Sequence, residues 1–120
     1  MAKTGWEGGE CSGLGWLDAE VSRLNPNSPS CRVPHIGWNA VEFARDHFIW
    51  RGIPSGADFY FVHSFHMNCR DKRDILAITD HGGAFTSAVA LENIIAVQFH
   101  PEKSQEHGAT LIYNFTMWSP

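Results

Sequence analysis

His100 and Glu102 stand two residues apart in "VQFHPEKSQ" (97–105), where an apolar run breaks into a polar turn. An imidazole followed at that spacing by a carboxylate can do acid–base chemistry. Pro101 lacks an amide donor and fixes its own φ, so it stops a strand and holds the turn. Residues 100 and 102 can then face one side, letting Glu102 accept a hydrogen bond from one ring nitrogen of His100. The other nitrogen is left to take a proton, the base-plus-orienter part of a nucleophilic triad.

Such a pair needs elements that hold it, and in open α/β sheets functional groups collect at the carboxyl ends of strands. Alternation of Leu17, Ala19 and Val21 with polar residues predicts a strand within 14–24. "NPNSPS" (25–30) reads as a loop. Pro34 makes the chain extended, with a short strand near 39–43, and residues 44–56 read as one helical turn and a Pro/Gly loop. Strands are predicted at 58–65, 74–80 and 84–90, with "HGG" turning between the last two. "IIAVQF" (94–99) is unbroken apolar sequence, as in a central strand covered on both faces. Residues 104–118 predict a helix, with Ser104 as N-cap and Leu111, Ile112, Phe115 and Trp118 on its apolar side, Met117 and Trp118 covering the sheet. A strand buried on both faces wants helices on both, and 120 residues with one good helix do not supply them.

The bulk composition excludes several classes. A formal charge of −4 and a pI near 5.9, with "RDKR" (70–73) as the one basic cluster, argue against a nucleic-acid binder. At 43% hydrophobic residues with eight Phe and five Trp, the chain can bury a core. Cys11, Cys31 and Cys69 follow no ligand-like spacing, so we expect reduced thiols in a cytoplasmic protein. Seven histidines invite a metal. Yet His63, His66, Cys69, His81 and His100 match no zinc pattern, and His63 and His66 would start on opposite faces of one strand. No metal and no cofactor is expected. "NFT" (114–116) fits a glycosylation pattern but falls in a predicted helix.

Together, "FYFVHSF", "TDHGGAFTSAV", "NIIAVQFHPEKSQ" and "LIYNF" resemble the C-terminal half of the class I, triad-type glutamine amidotransferases. "GLGWLDAEV" (13–21) and "VPHIGWNAV" (33–41) resemble, within that family, the glutaminase subunits of imidazole glycerol phosphate synthases. The resemblance runs from about residue 8 to 118. It implies an α/β, flavodoxin-like three-layer fold, of which residues 1–120 would be the C-terminal portion of a single domain, strand-rich with one C-terminal helix. It implies glutamine hydrolysis by a Cys–His–Glu triad, with ammonia passed to a β/α-barrel cyclase in histidine biosynthesis. His100 matches the family's base and Glu102 its orienting acid. His63 and the Ser64–Phe65 backbone match the segment against bound glutamine, where Phe65 replaces the usual Tyr. Trp38, Asn39 and Lys103 match positions that face the synthase.

The family's nucleophile is a cysteine in "GxCxG" on a strand-to-helix elbow. "GECSG" (9–13) fits the letters, but residues 1–8 do not read as a strand and 13–21 does not read as a helix. Cys31 sits in a Pro/Ser loop and Cys69 beside "RDKR". We therefore expect the nucleophile in sequence before Met1, and this chain alone to be inactive. Two other functions stay open: an amidotransferase serving another synthase, such as one aminating a surface sugar, and a non-catalytic docking module.

Overall fold

The computed structural model describes residues 2–5, 11–12, 17–25, 31 and 33–119. Nine strands form one sheet: β1 (Ala2–Gly5), β2 (Cys11–Ser12), β3 (Leu17–Arg23), β4 (His35–Phe43), β5 (Ala57–His63), β6 (Phe65–Cys69), β7 (Ile75–Asp80), β8 (Ala84–Leu91) and β9 (Ile94–Val97). The order is β2-β1-β3-β6-β8-β7-β4-β5, with β9 also on β8. Among the described residues, only β1 and β3 pair in parallel, and the other pairings are antiparallel. Among the described residues there is one α-helix, α1 (Gln105–Met117), and none is long and apolar enough to cross a membrane.

The β4–β5 ribbon divides the molecule into a core side and an outer side. Period-2 alternation puts Val41, Phe59 and Phe61 inward, all fully buried, and Ile36, Trp38 and Val62 outward. Their core continues through Leu76, Ala77, Phe85, Ala88, Phe99 and Leu111. The expected strand at 39–43 starts four residues earlier, because His35 through Val41 pairs residue for residue with His63 back to Ala57.

Four expectations are corrected. Residues 2–5 are a strand, which a Gly-rich polar composition conceals, since its pairing to β3 is tertiary. The single strand expected at 58–65 bends at Ser64, whose carbonyl accepts the Leu24 amide at 2.8 Å. Past that bend the chain changes partners, from β4 to β3 and β8. "IIAVQF" is not a doubly covered central strand: β9 pairs with β8 alone and its four residues are half-buried. The apolar run continues because Phe99 leaves the ladder and packs on Phe59, ring centroids 4.4 Å apart. Of the 25–30 loop, residues 26–30 lie outside the described residues, as do 14–16 of the first predicted strand.

The helix is the fourth correction. It docks through Gly108, Leu111 and Asn114, while Ile112, Phe115 and Met117 are exposed. Gly108 lets the helix close on the turn before it, since a Cβ there would run into the Pro101 carbonyl oxygen and meet Ser104 Cβ at 2.9 Å. Asn114 Nδ2 donates to the carbonyls of Ile49 (2.8 Å) and Arg51 (2.7 Å), anchoring the far end to the 3-10 turn Phe48–Trp50. The "NFT" asparagine is thus buried, with its amide engaged in the core.

In an ordinary helix interior Gly→Ala stabilises by about 1 kcal/mol. Here Gly108→Ala should destabilise, by roughly 1–3 kcal/mol, because backbone must move. Urea midpoints decide the sign, and a variant as stable as the parent rules out the close approach.

Candidate active site

His100 ends the extended stretch after β9, and Pro101–Lys103 form a 3-10 turn. Its Nδ1 lies 2.8 Å from Glu102 Oε1. The carboxylate accepts, so the ring's proton is on Nδ1 and the Nε2 lone pair is available. Among the described residues, Nε2 has no hydrogen-bond partner. Glu102's own backbone amide, then the His100 ring, hold its carboxyl below the ordinary range. The side chains are part-exposed, 38% for His100 and 60% for Glu102, so the pair can meet solvent or a ligand.

The turn is pinned to the free edge of β5. The His100 amide donates to the Tyr60 carbonyl at 2.8 Å. Ser104 Oγ donates to the His100 carbonyl at 2.6 Å and accepts the Tyr60 amide at 2.9 Å. Ser104 stands at the N-cap of α1 as expected, but its hydroxyl makes no capping bond; the strand edge has taken it. Both main-chain groups of Tyr60 are thereby paired, which places His100 beside β5.

Along β5, His63 is buried with Nδ1 2.8 Å from the Phe65 carbonyl. Its Nε2 lies 2.9 Å from Nδ1 of His35, the facing residue on β4. His35 stacks between Phe61 (4.9 Å) and His81 (4.0 Å) and its Nε2 is 3.3 Å from Asn39 Nδ2. Burial, then His81 and His63, push His35 down to about 4. Burial likewise lowers His63, with His81, His66 and His100 adding to the effect and the Phe65 carbonyl opposing it. The sequence pointed to His63 for the substrate segment and weighed His81 only as a metal ligand, and it did not single out His35. The register His35↔His63, which brings two distant imidazoles together, is the signal that sequence lacks.

His63, Ser64 and Phe65 form the bend from β5 into β6, near the His100 turn. Trp38 and Lys103 are exposed, Trp38 packing edge-on against Tyr60 at 5.8 Å. Asn39 points to the opposite face, and its amide bonds to Asp80, Ala40 and His35. His63 and His66 flank the Ser64 bend, so they do not share one strand. Among the described residues no three His, Cys, Asp or Glu are arranged to hold a metal. In "RDKR", Asp71 caps the turn at Lys72–Asp74 and grips Arg73 at 2.9 Å on the surface.

Burial and the nearby Asp74 and Asp71 push the Cys69 thiol up to about 11, the wrong direction for a nucleophile. The backbone of Cys11 belongs to β2, and the next described element is the strand β3, not the helix an elbow requires. Gly9, Glu10, Gly13 and the Cys11 side chain lie outside the described residues.

Ser104→Ala leaves the Tyr60 amide unpaired and should cost about 1–3 kcal/mol in urea unfolding; an unchanged midpoint would show the bridge is not needed. His35 sets a pH dependence. Folded, it protonates only near 4, whereas the unfolded chain does so near 6.5. Protons therefore favour unfolding between those values. The stability His35 contributes is complete above 6.5 and is lost as pH falls toward 4. Urea midpoints at about pH 7.5 and pH 5 should show this drop, and His35→Asn should reduce it.

The class-I glutamine amidotransferase family matches residues 18–118. The imidazole glycerol phosphate synthase subunit HisH of Caulobacter vibrioides is 46% identical over 120 residues, covering all of this chain and 56% of that protein. The corresponding subunit of Azospirillum brasilense is 42% identical over 118 residues, 98% of this chain and 62% of its own length. The chain thus spans little more than half the length of these curated relatives. A solved structure described as a GMP synthase subunit from Thermoplasma acidophilum superposes with a TM-score of 0.62 at 21% identity, over 82% of this chain and 47% of that one, a likeness of fold. With the family matched across residues 18–118, the chain belongs to the class-I glutamine amidotransferases.

Proposed function

We propose that this chain carries the base and orienting acid of a glutaminase that supplies ammonia to a synthase. The observation that carries the reading is the 2.8 Å His100–Glu102 bond in the turn that follows β9, with Nε2 unengaged among the described residues. A cysteine thiol gives its proton to His100 Nε2 as sulfur attacks the side-chain amide carbon of glutamine. His100 then passes that proton to the leaving nitrogen, which departs as ammonia. Water then gives a proton to His100 Nε2 as its oxygen attacks the thioester carbon, and His100 returns that proton to sulfur as the C–S bond breaks, releasing glutamate and the thiol. Glu102 keeps the ring in its Nδ1–H tautomer and stabilises the imidazolium. His63, Ser64 and Phe65 lie against the glutamine.

The nucleophile is a cysteine other than Cys11, Cys31 and Cys69, carried on a strand-to-helix elbow. The relatives' names, subunits of imidazole glycerol phosphate synthase, support that synthase over a surface-sugar one. The partner is then the β/α-barrel cyclase of histidine biosynthesis that the resemblance implies. The outer face of the β4–β5 ribbon, with Ile36, Trp38 and Val62 exposed and Lys103 adjoining the acid–base pair in sequence, supplies its docking surface. That same apolar face favours the second reading, a docking module without catalysis.

Ammonia release from glutamine separates the two. The chain alone should show none above background, and turnover abolished by Cys11→Ala would overturn the nucleophile assignment. Fused behind the N-terminal portion of the Caulobacter protein, the chain should turn glutamine over. In that fusion His100→Ala should lower kcat about 10²–10⁴-fold, and Glu102→Gln by less. A fusion that folds and is unaffected by His100→Ala would leave the docking reading standing.

A further inference from the structure

A run of hydrogen bonds links the end of β7 to the bend after β5, and its protons can be assigned from both ends. Asn39 Oδ1 accepts the Ala40 amide at 2.8 Å, which makes Nδ2 the donor; it donates to the Asp80 carbonyl at 2.7 Å and faces His35 Nε2 at 3.3 Å. A donor at Nε2 makes that nitrogen an acceptor, so neutral His35 carries its proton on Nδ1. That proton points at His63 Nε2, 2.9 Å away, which must accept, leaving the His63 proton on Nδ1. At the other end the Phe65 carbonyl, 2.8 Å from His63 Nδ1, can only accept. Both ends demand the same order.

We propose that His35 is a positioning residue: its Nδ1–H locks His63 in the Nδ1–H tautomer, and His63 in turn holds the Phe65 carbonyl, setting the Ser64–Phe65 bend that meets the amide substrate. What the bend meets rests on the glutaminase reading; the proton order does not. His35 cannot swing away, being 4% exposed and stacked on Phe61 and His81 with Phe85 edge-on. The Ser64 carbonyl is engaged by Leu24, so both carbonyls of the bend are fixed. The charged forms facing the pair come from other imidazoles, His66 on β6, His81 after β7 and His100 after β9, and each favours neutral rings.

Long-range proton–nitrogen correlation spectra of the ¹⁵N-labelled chain at about pH 7 read the tautomers directly. Both rings should show a protonated Nδ1 and a bare Nε2. In the fusion with the N-terminal portion of the Caulobacter protein, glutamine should then shift the Ser64 and Phe65 amides. His35→Asn, which keeps an amide donor where Nδ1 was, should retain the His63 tautomer and the glutamine response. His35→Ala should give a mixed His63 tautomer and weaken glutamine binding about tenfold. Should His35→Ala not fold, Asn39→Asp puts an acceptor opposite Nε2 and should move the His35 proton there, removing the donor to His63. A His63 found as Nε2–H or as imidazolium overturns the proposal, as does His35→Ala with tautomer and affinity unchanged. In the fusion with the N-terminal portion of the Caulobacter protein, a bend that ignores glutamine while the assigned proton order holds overturns the positioning role and the glutaminase reading, and the proton order survives.

Discussion

The hydroxyl of Ser104 joins the parts of this molecule that matter for chemistry. It accepts the Tyr60 amide and donates to the His100 carbonyl, while the His100 amide returns a bond to the Tyr60 carbonyl. An edge strand with open main-chain groups would otherwise be a site for stray pairing. Here the turn that carries His100 and Glu102 occupies that edge, and α1 begins from the same serine. Gly108 lets the first turns of the helix press onto the Pro101 carbonyl, and Asn114 ties its far half to the turn at Phe48–Trp50. Strand edge, acid–base turn and helix are therefore one mechanical unit.

The second constraint is the polarity inside the β4–β5 ribbon. Its core face is aromatic around Phe59 and Phe61, yet it ends in two buried imidazoles, His35 and His63. Buried nitrogens are tolerable only when each has a partner of the right sense. The directed order from Asn39 through His35 and His63 to Phe65 meets that need. Stacking of His35 between Phe61 and His81 supplies the apolar contacts that a ring in this place requires. The ribbon's outer face, with Trp38 against Tyr60, has no such polar demand and stays open for contact.

Much of the element order was legible because alternation and turn chemistry are local. β5, β7, β8 and α1 fall near their expected spans, and so does the His100–Glu102 contact, two residues apart in one turn. The misreadings share a cause. "DFYFVHSF" reads as one strand because aromatic content cannot say that the chain changes partners at Ser64. "IIAVQF" reads as a central strand because an apolar run looks alike whether it is covered by helices or ends with Phe99 turned into the core. Ile112 and Phe115 read as the buried side of α1, yet close approach at Gly108 decides which side faces in.

By itself, the sequence determined the residue pair that can move a proton, the proline that opens the turn between its two members, and the family to which the motifs belong. Those depend on neighbours within a few residues, or on the string of letters itself. Only the tertiary structure decided that Ser104 bridges a strand edge instead of capping its helix, and that His35 meets His63 across 28 positions. It also turned Trp38 outward and Asn39 inward. Hydrogen-bond partners far apart in the chain are selected by strand register, and register is a property of the packed sheet.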